Sequence, residues 1–293
     1  MEGQQFLRRY AALGETFSLP IILHPSLRVN TLKTSPAALQ KRLAKESVIL
    51  KKIPFLTNGY YYTAPFSLGA TTEYLLGHYY LQEAAAQLPA ELLNPSPTDY
   101  VLDMAASPGG KTTQLAQRMR NEGIIIALDT GRLDALRNNL ERLSVKNVLV
   151  YRKDARFAKD LGMQFDKILL DAPCSGNFCT HPNYFKEKTL PGIQERSRLQ
   201  KELLKAAHTV LKARGILVYS TCSLEPEENE LVIDWFLNKY QDMTLEETTS
   251  KIGDPGFTTV FGTALNPALA KTRRFWPHKH GTEGFFIAKL IKA

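Results

Sequence analysis

Residues 100–115 read YVLDMAASPGGKTTQL. The first seven, YVLDMAA, are an apolar run with one acid and have the length of a buried strand. After a Ser-Pro break, GGKTTQLAQRM (109–119) has the composition of a helix, so the strand passes almost directly into it. The small residues Ala105, Ala106 and Ser107, then Pro108, Gly109 and Gly110, let backbone approach a ligand closely, and the helix N-terminus favours anionic groups. The spacing is neither G-x-x-x-x-G-K-S/T nor G-x-G-x-x-G. ATP- and NAD-type phosphate loops are therefore disfavoured, and another adenosine cofactor is left open.

The same alternation continues outward. IIIALD (124–129), VLVYRKD (148–154), FDKILLDA (165–172) and ILVYST (216–221) read as strands. LDALRNNLERL (133–143) and PEENELVIDWFLNKY (226–240) read as helices, and GFFIAKLIK (284–292) as a late strand. LQKELLKAAHTVLKARG (199–215) is an amphipathic helix with Leu199, Leu203, Ala207, Val210 and Leu211 on one face and Gly215 at its end. Strands alternating with helices predict an α/β domain over 94–293, a doubly wound, Rossmann-like parallel sheet covered on both faces. Ligands of such sheets bind outside the carboxyl ends of the strands, near the switch in strand order. Residues 1–93 differ. LRVNTLKTSPAALQKRLAKE (27–46) reads as a strand, a turn at Ser35-Pro36 and a short helix, whereas YYYTAPFSL (60–68) is aromatic and irregular. This predicts a small α+β module, joined through the turn-rich NPSPTD (94–99).

Composition narrows the class. Hydrophobic residues make up 44%, enough for a packed core. No apolar stretch approaches the roughly 20 residues that span a bilayer, and MEGQQFLRRYAALGE lacks a secretory apolar region. Three cysteines suit a reducing compartment, so the expectation is a soluble, cytoplasmic chain, with monomer as the default. The net charge is +8, from 37 basic against 29 acidic residues, with clusters at 51–54, 146–156 and 271–280. Such a field favours a polyanion, of which nucleic acid is the commonest.

The strand ends carry the candidate chemistry. Asp129 closes the second strand, where a carboxylate accepts from ribose hydroxyls; Asp154 closes the third and could meet an adenine amino group. The plain alternative for each is a helix cap. Cys174 and Cys222 occupy parallel positions, in DKILLDAPCSG (166–176) and ILVYSTCS (216–223). If those two strands are neighbours, their ends lie about 4.8 Å apart and both thiols enter one cleft. No C-x-x-C occurs and the histidines are not clustered, so no metal is expected.

DMAASPGGKTTQLA, LLDAPCSGNF, YSTCSLEPEENE and PHKHGTEGFFIAKL, with RVNTLK (28–33) and LQEAAAQLPAELL (81–93), resemble the Sun-type RNA cytosine-5 methyltransferases, closest to short tRNA-type members. The paired PCS and TCS motifs are specific, and the similarity runs through nearly the whole chain in order. The resemblance implies S-adenosylmethionine as cofactor, Cys222 as the nucleophile, Cys174 in its release and Asp171 on the cytosine edge. It places the cofactor against 105–111, Asp129, Asp154 and Asp171, with Lys111 near the cofactor carboxylate or the base. RNA is the implied partner, tRNA first and ribosomal RNA second, and Arg28, Asn30 and Lys33 are implied near the site. Two stretches depart from the family: Asp129-Thr130-Gly131-Arg132 is short, and NFCTHPNYFKEKTLPG carries an extra Cys179 and His181 to which no chemistry is assigned. The competing reading is an RNA-binding assembly factor on a methyltransferase fold. It has no need of two intact cysteine motifs. N-directed base methylation, the third, wants Asn/Asp-Pro-Pro-aromatic where this chain has Asp-Ala-Pro-Cys.

Overall fold

The computed structural model describes residues 2–131, 133–181, 183–248 and 252–293. The N-terminal part contains α1 (Glu2–Ala12), β1 (Ser26–Val29), α2 (Pro36–Ala44), β2 (Ile49–Lys52), β3 (Gly59–Thr63), α3 (Thr72–Leu75), β4 (Tyr79–Leu81) and α4 (Leu88–Leu93). Its strands form an antiparallel sheet in the order β2-β3-β1-β4. The α2 start follows from its sequence: the Ser35 side chain accepts from the Ala38 N–H and Pro36 opens the helix. The tyrosine stretch, expected to be irregular, is instead the interior strand β3. Tyr60, Tyr61 and Tyr62 are all half-buried, so both faces carry the same residue and no alternation shows in the sequence.

The larger part runs β5 (Tyr100–Asp103), α5 (Gly110–Arg118), β6 (Ile124–Asp129), α6 (Leu133–Arg142), β7 (Val148–Arg152), β8 (Phe165–Asp171), α7 (Tyr184–Glu187), α8 (Leu190–Val210), β9 (Leu211–Thr221) and α9 (Glu230–Lys239). It ends with β10 (Met243–Glu246), β11 (Asp254–Pro255), β12 (Thr259–Val260), β13 (Thr263–Ala264), β14 (Arg273–Phe275), α10 (Pro277–His280) and β15 (Phe285–Lys292). The main sheet has the order β11-β14-β15-β9-β8-β5-β6-β7, with β10 also on β15. The β9-β8-β5-β6-β7 block is parallel, as the alternation predicts. The sheet as a whole is mixed, because β15 runs antiparallel to β9, β14 and β10. The link from β14 to β15 is shorter than the dozen or so residues a parallel crossover needs, so only an antiparallel return is open.

Successive residues of each parallel strand feed opposite faces. Leu169 packs with Leu88, Leu115 and Met119 of the α4–α5 layer, and its neighbours Ile168 and Leu170 with Leu203, Val210 and Phe236 of the α8–α9 layer. The α8 helix stops at Val210, not at Gly215 as its composition predicts. Leu211 already pairs with Phe165; the register then slips before Ile216 meets Lys167. Within that bulge Arg214 has φ +61°, and a Cβ on Gly215 would lie 2.6 Å from the Leu211 side chain. Tertiary pairing overrides helix propensity here. The chain leaves β5 to build β6 and β7 on one side and returns to β8 on the other, so the switch point lies between the carboxyl ends of β5 and β8.

Candidate active site

At the switch point, β5 ends on Asp103, which is 1% exposed and accepts from the Thr112 hydroxyl at 2.7 Å. Burial, with Asp171 adding, pushes its pKa up to about 6. The bond ties the strand end to the first turn of α5 and closes the loop between them. Gly109 makes the corner with φ +105°, where an added Cβ would meet Leu136 at 2.9 Å. A Cβ on Gly110 would meet the Tyr80 ring at 3.0 Å, so the glycine pair serves close packing as well as the turn.

Two clefts share Ala105. One, of about 270 Å³, is bordered by Met104, Asp129, Asp154, Pro173 and Leu199. The other, of about 180 Å³, is bordered by Tyr80, Ala106, Ser107, Pro108, Gly110, Lys111 and Asp171. Together they fall in the roughly 300–1,000 Å³ range of cofactor sites. The Asp129 carboxylate accepts from the Ser107 and Gly131 N–H groups, both at 2.9 Å, and is thereby fixed at the end of β6 facing the first cleft. A fixed acid for hydroxyls, small residues at the waist and a cation at the far end suit an adenosine cofactor that carries an amino-acid tail. Asp154 borders the same cleft but is also a cap: it accepts from the Arg156 N–H and pairs with that guanidinium at 2.6 Å, which holds its pKa below the ordinary value. Arg132 lies outside the described residues.

The second cleft leads to the thiols. Asp171 ends β8 and accepts from Lys111 at 2.6 Å and from the Ser220 hydroxyl at 2.7 Å. Burial disfavours the Lys111 ammonium, but Asp171, helped by Cys222 and Asp103, wins and its pKa is raised. β8 and β9 are paired in parallel, with Asp171 opposite Ser220, so the following loops start side by side. Cys174 and Cys222 meet with their sulfurs 3.2 Å apart. The bond to Cys222, then burial, then the charges of Cys222 and Glu228 push the Cys174 thiol well up. All three cysteines are free.

Sequence reasoning overlooked what holds these loops. Ser175 and Ser223, each following a cysteine, both donate to the Glu228 carboxylate. Asn177, fully buried, donates to the Cys222 carbonyl at 2.9 Å and the Gly284 carbonyl at 3.2 Å. The acidic run after Cys222 looks like a solvated helix start, and nothing local marks it as buried. Of Arg28, Asn30 and Lys33, implied near the site, Arg28 reaches the glycine pair of the cofactor loop. Arg28 and Asn30 are 2% exposed and act as joints: Arg28 donates to the Gly110 carbonyl at 2.6 Å, and Asn30 to those of Gly77 and Leu143 at 2.9 Å. Lys33 donates to the Leu76 and Arg142 carbonyls. Cys179 lines a separate recess with Leu19, Phe178 and Phe185, and burial pushes its pKa up to about 12; His181 pairs with Glu187 at 2.9 Å. Among the described residues, no group of three or more His, Cys, Asp or Glu is placed to hold a metal, and no helix is long and apolar enough to cross a membrane.

The strand order and the site at its switch point define the class: an α/β methyltransferase of the S-adenosylmethionine-dependent fold. A crystal structure of a methyltransferase homolog protein from Pyrococcus horikoshii superposes with a TM-score of 0.86 at 44% identity, covering 98% of this chain and 90% of that one. The family model described as 16S rRNA methyltransferase RsmB/F matches residues 90–291, and that for the N-terminal domain of 16S rRNA methyltransferase RsmF matches residues 6–84. The chain belongs to the RsmB/F family of RNA methyltransferases. A tRNA (cytosine(49)-C(5))-methyltransferase of Pyrococcus abyssi is 40% identical over 302 residues, 99% of this chain and 96% of its own length. A 28S rRNA (cytosine-C(5))-methyltransferase of Mus musculus is 42% identical over 278 residues, 91% of this chain and 35% of its own length. The chain spans between 34% and 55% of the length of four of the curated relatives it matches.

Proposed function

We propose that this protein methylates carbon 5 of a cytosine in RNA, with Cys222 as covalent nucleophile and S-adenosylmethionine as methyl donor. The observation that carries the reading is the Cys174–Cys222 contact of 3.2 Å at the ends of adjacent parallel strands, beside the Lys111–Asp171 pair and the cofactor clefts. Carbon 5 of cytosine is too weak a nucleophile to take a methyl group directly. The Cys222 thiolate adds to carbon 6, and the carbon 5–carbon 6 double-bond pair moves toward carbon 5, which makes that carbon enamine-like. Lys111 faces Cys222, and Asp171 with Lys111 stabilises charge along the base edge. Bound S-adenosylmethionine supplies an electrophilic methyl group. Release then requires that the carbon 5 proton pass to water, its bonding pair re-form the double bond, and the carbon 6–sulfur pair return to Cys222. A neutral Cys174 S–H in contact with that sulfur is the donor that assists its departure.

Asp129 and Asp154 hold the adenosine end and residues 105–111 the rest of the cofactor. The target nucleotide must be unstacked to enter the cleft. Exposed Lys41, Arg42, Lys45 and Lys51 of the N-terminal part supply RNA-backbone contacts with a salt-sensitive contribution. The substrate assigned is tRNA, supported by the near end-to-end match to a tRNA enzyme, with ribosomal RNA second. Two thiols that must stay reduced suit a cytoplasmic setting.

The test is methyl transfer from labelled S-adenosylmethionine to total tRNA and to ribosomal RNA by wild type, Cys222→Ala and Cys174→Ala. Transfer lost in both variants, with a denaturant-resistant protein–RNA adduct accumulating only in Cys174→Ala, is the expected result. Full activity in Cys222→Ala would refute the assignment.

A further inference from the structure

Glu225, Glu228 and Glu230, in the stretch just after Cys222, are all fully buried. Two of them meet a cation: Glu225 lies 3.3 Å from Arg9, and Glu230 lies 2.6 Å from Arg274. Glu228 meets only neutral donors, namely the Ser175 N–H and hydroxyl, the Ser223 hydroxyl and the Gln200 amide. Among the described residues it has no ion-pair partner. Burial is the largest influence on this carboxylate and raises its pKa, while the several donors aimed at it favour its charged form and hold that rise in check.

We propose that Glu228 is a positioning residue that locks the Cys174 loop to the Cys222 loop and, through its uncompensated charge, keeps Cys174 the neutral thiol of the pair. This rests on the methyl-transfer reading given above and deepens it. The locking is geometric. One carboxylate receives the residue after each cysteine, and Gln200, which donates to Glu228 at 3.1 Å, also donates to the Pro173 carbonyl at 3.0 Å, just before Cys174. The Glu228 carbonyl in turn accepts from the Tyr219 hydroxyl at 2.6 Å, tying the clamp to β9.

The electrostatic half follows from which charges face which thiol. Cys174 is faced by Cys222, Glu228 and the Tyr219 phenol; Glu228 is faced by the phenols of Tyr184 and Tyr219. Cys222 is faced by the Lys111 ammonium. A negative charge behind one sulfur and a positive charge beside the other split two otherwise equivalent thiols into a donor and a nucleophile. The raised Cys174 pKa agrees, with Glu228 among its causes after Cys222 and burial.

The test compares wild type with Glu228→Gln, which keeps size and hydrogen bonding but removes the charge. The full chain is incubated with labelled S-adenosylmethionine and total tRNA from neutral pH to above the ordinary thiol range. Adduct formation and adduct decay are followed separately. Fold is checked by thermal midpoint and cofactor affinity. Without the charge, Cys174 loses its proton at lower pH, so the alkaline limit of adduct decay should move down by about one unit. Adduct formation persists, and the adduct lives about tenfold longer at the alkaline end. Ser175→Ala removes one hydrogen bond and leaves the charge, so its decay limit stays with wild type. Glu228→Asp, which keeps the charge with a shorter reach, also keeps the wild-type limit while slowing turnover. That variant decides the matter if the Gln variant does not fold.

A Glu228→Gln limit superimposable on wild type, or an equal shift in Ser175→Ala or Glu228→Asp, would overturn the proposal and leave a packing role only. Absence of both transfer and adduct in wild type would instead refute the methyl-transfer reading, and this proposal with it.

Discussion

Replacing Arg274 by Met removes the cation from a closed pocket. The Arg274 and Glu230 side chains are 1% and 0% exposed, and their fork is bidentate, with Nε–Oε1 at 2.6 Å and Nη2–Oε2 at 2.8 Å. A further N–H reaches the Leu224 carbonyl at 2.9 Å, and the Phe257 and Trp276 rings lie 4.6 and 5.2 Å from the guanidinium carbon. Met fills similar space but donates nothing, leaving Glu230, among the described residues, with the Phe257 N–H at 3.2 Å. Breaking a buried pair from one side costs roughly 3–5 kcal/mol, and an orphaned carbonyl adds about 1 kcal/mol. The sum, roughly 4–6 kcal/mol, is a large share of the roughly 5–15 kcal/mol that holds a typical domain. At roughly 2–4 °C per kcal/mol for chains near this size, the thermal midpoint should fall by about 8–24 °C. Thermal and denaturant unfolding measure it, and the double variant Arg274→Met/Glu230→Gln should recover much of the loss. A single-variant loss under about 1 kcal/mol, or no recovery in the double, would refute the reasoning. Because Leu224 follows so closely on Cys222, adduct yield per folded molecule should also drop.

Asp129→Ala removes the acceptor shared by Ser107 and Gly131, and a charge-assisted hydrogen bond is worth roughly 1.5–3 kcal/mol, so S-adenosylmethionine affinity by calorimetry should weaken about 10- to 100-fold. Unchanged affinity would take Asp129 out of the cofactor site. Glu283 has its pKa pushed up to about 7 by burial and then by Glu83, against Lys111. The sign follows from linkage: an acid whose folded pKa exceeds its unfolded value of about 4.3 contributes stability that is complete below that value and is lost as pH rises through about 7. Glu283→Gln, which does not ionise, should therefore gain on wild type by about 1–2 kcal/mol between pH of about 5 and about 8. Denaturation at the two ends of that window checks it, and a constant difference would count against the burial argument.

The parallel block was legible because each strand is a short apolar run that ends in small or acidic residues, and β6 was placed to the residue. Adjacency of β8 and β9 stood in the sequence only as a condition for the meeting of Cys174 and Cys222, and the parallel pairing meets it. The direction of β15 was not legible, since a strand pattern carries no sign of orientation. The end of α8 was misplaced because Lys212-Ala213-Arg214-Gly215 suits a helix, while the pairing of Leu211 with Phe165 and of Lys212 with Asp166 decides otherwise. Glu228 and Asn177 stayed hidden for a related reason. Polar residues become clamps only through partners far away in the chain, and no local pattern announces a buried carboxylate.

The loop that carries Cys222 is closed by segments far before it and well after it in the sequence. Tyr10 and Arg9 of α1 reach Glu225 across 215 and 216 positions, and β15 pairs along β9 with Phe286 opposite Thr221. Folding during synthesis is vectorial, with N-terminal segments emerging first. The helix that braces this loop is made before it and must wait, while the strand that flanks it is made after it. Both thiols are therefore present well before their geometry can be. The order of these elements along the chain therefore separates the synthesis of the two thiols from the formation of their geometry.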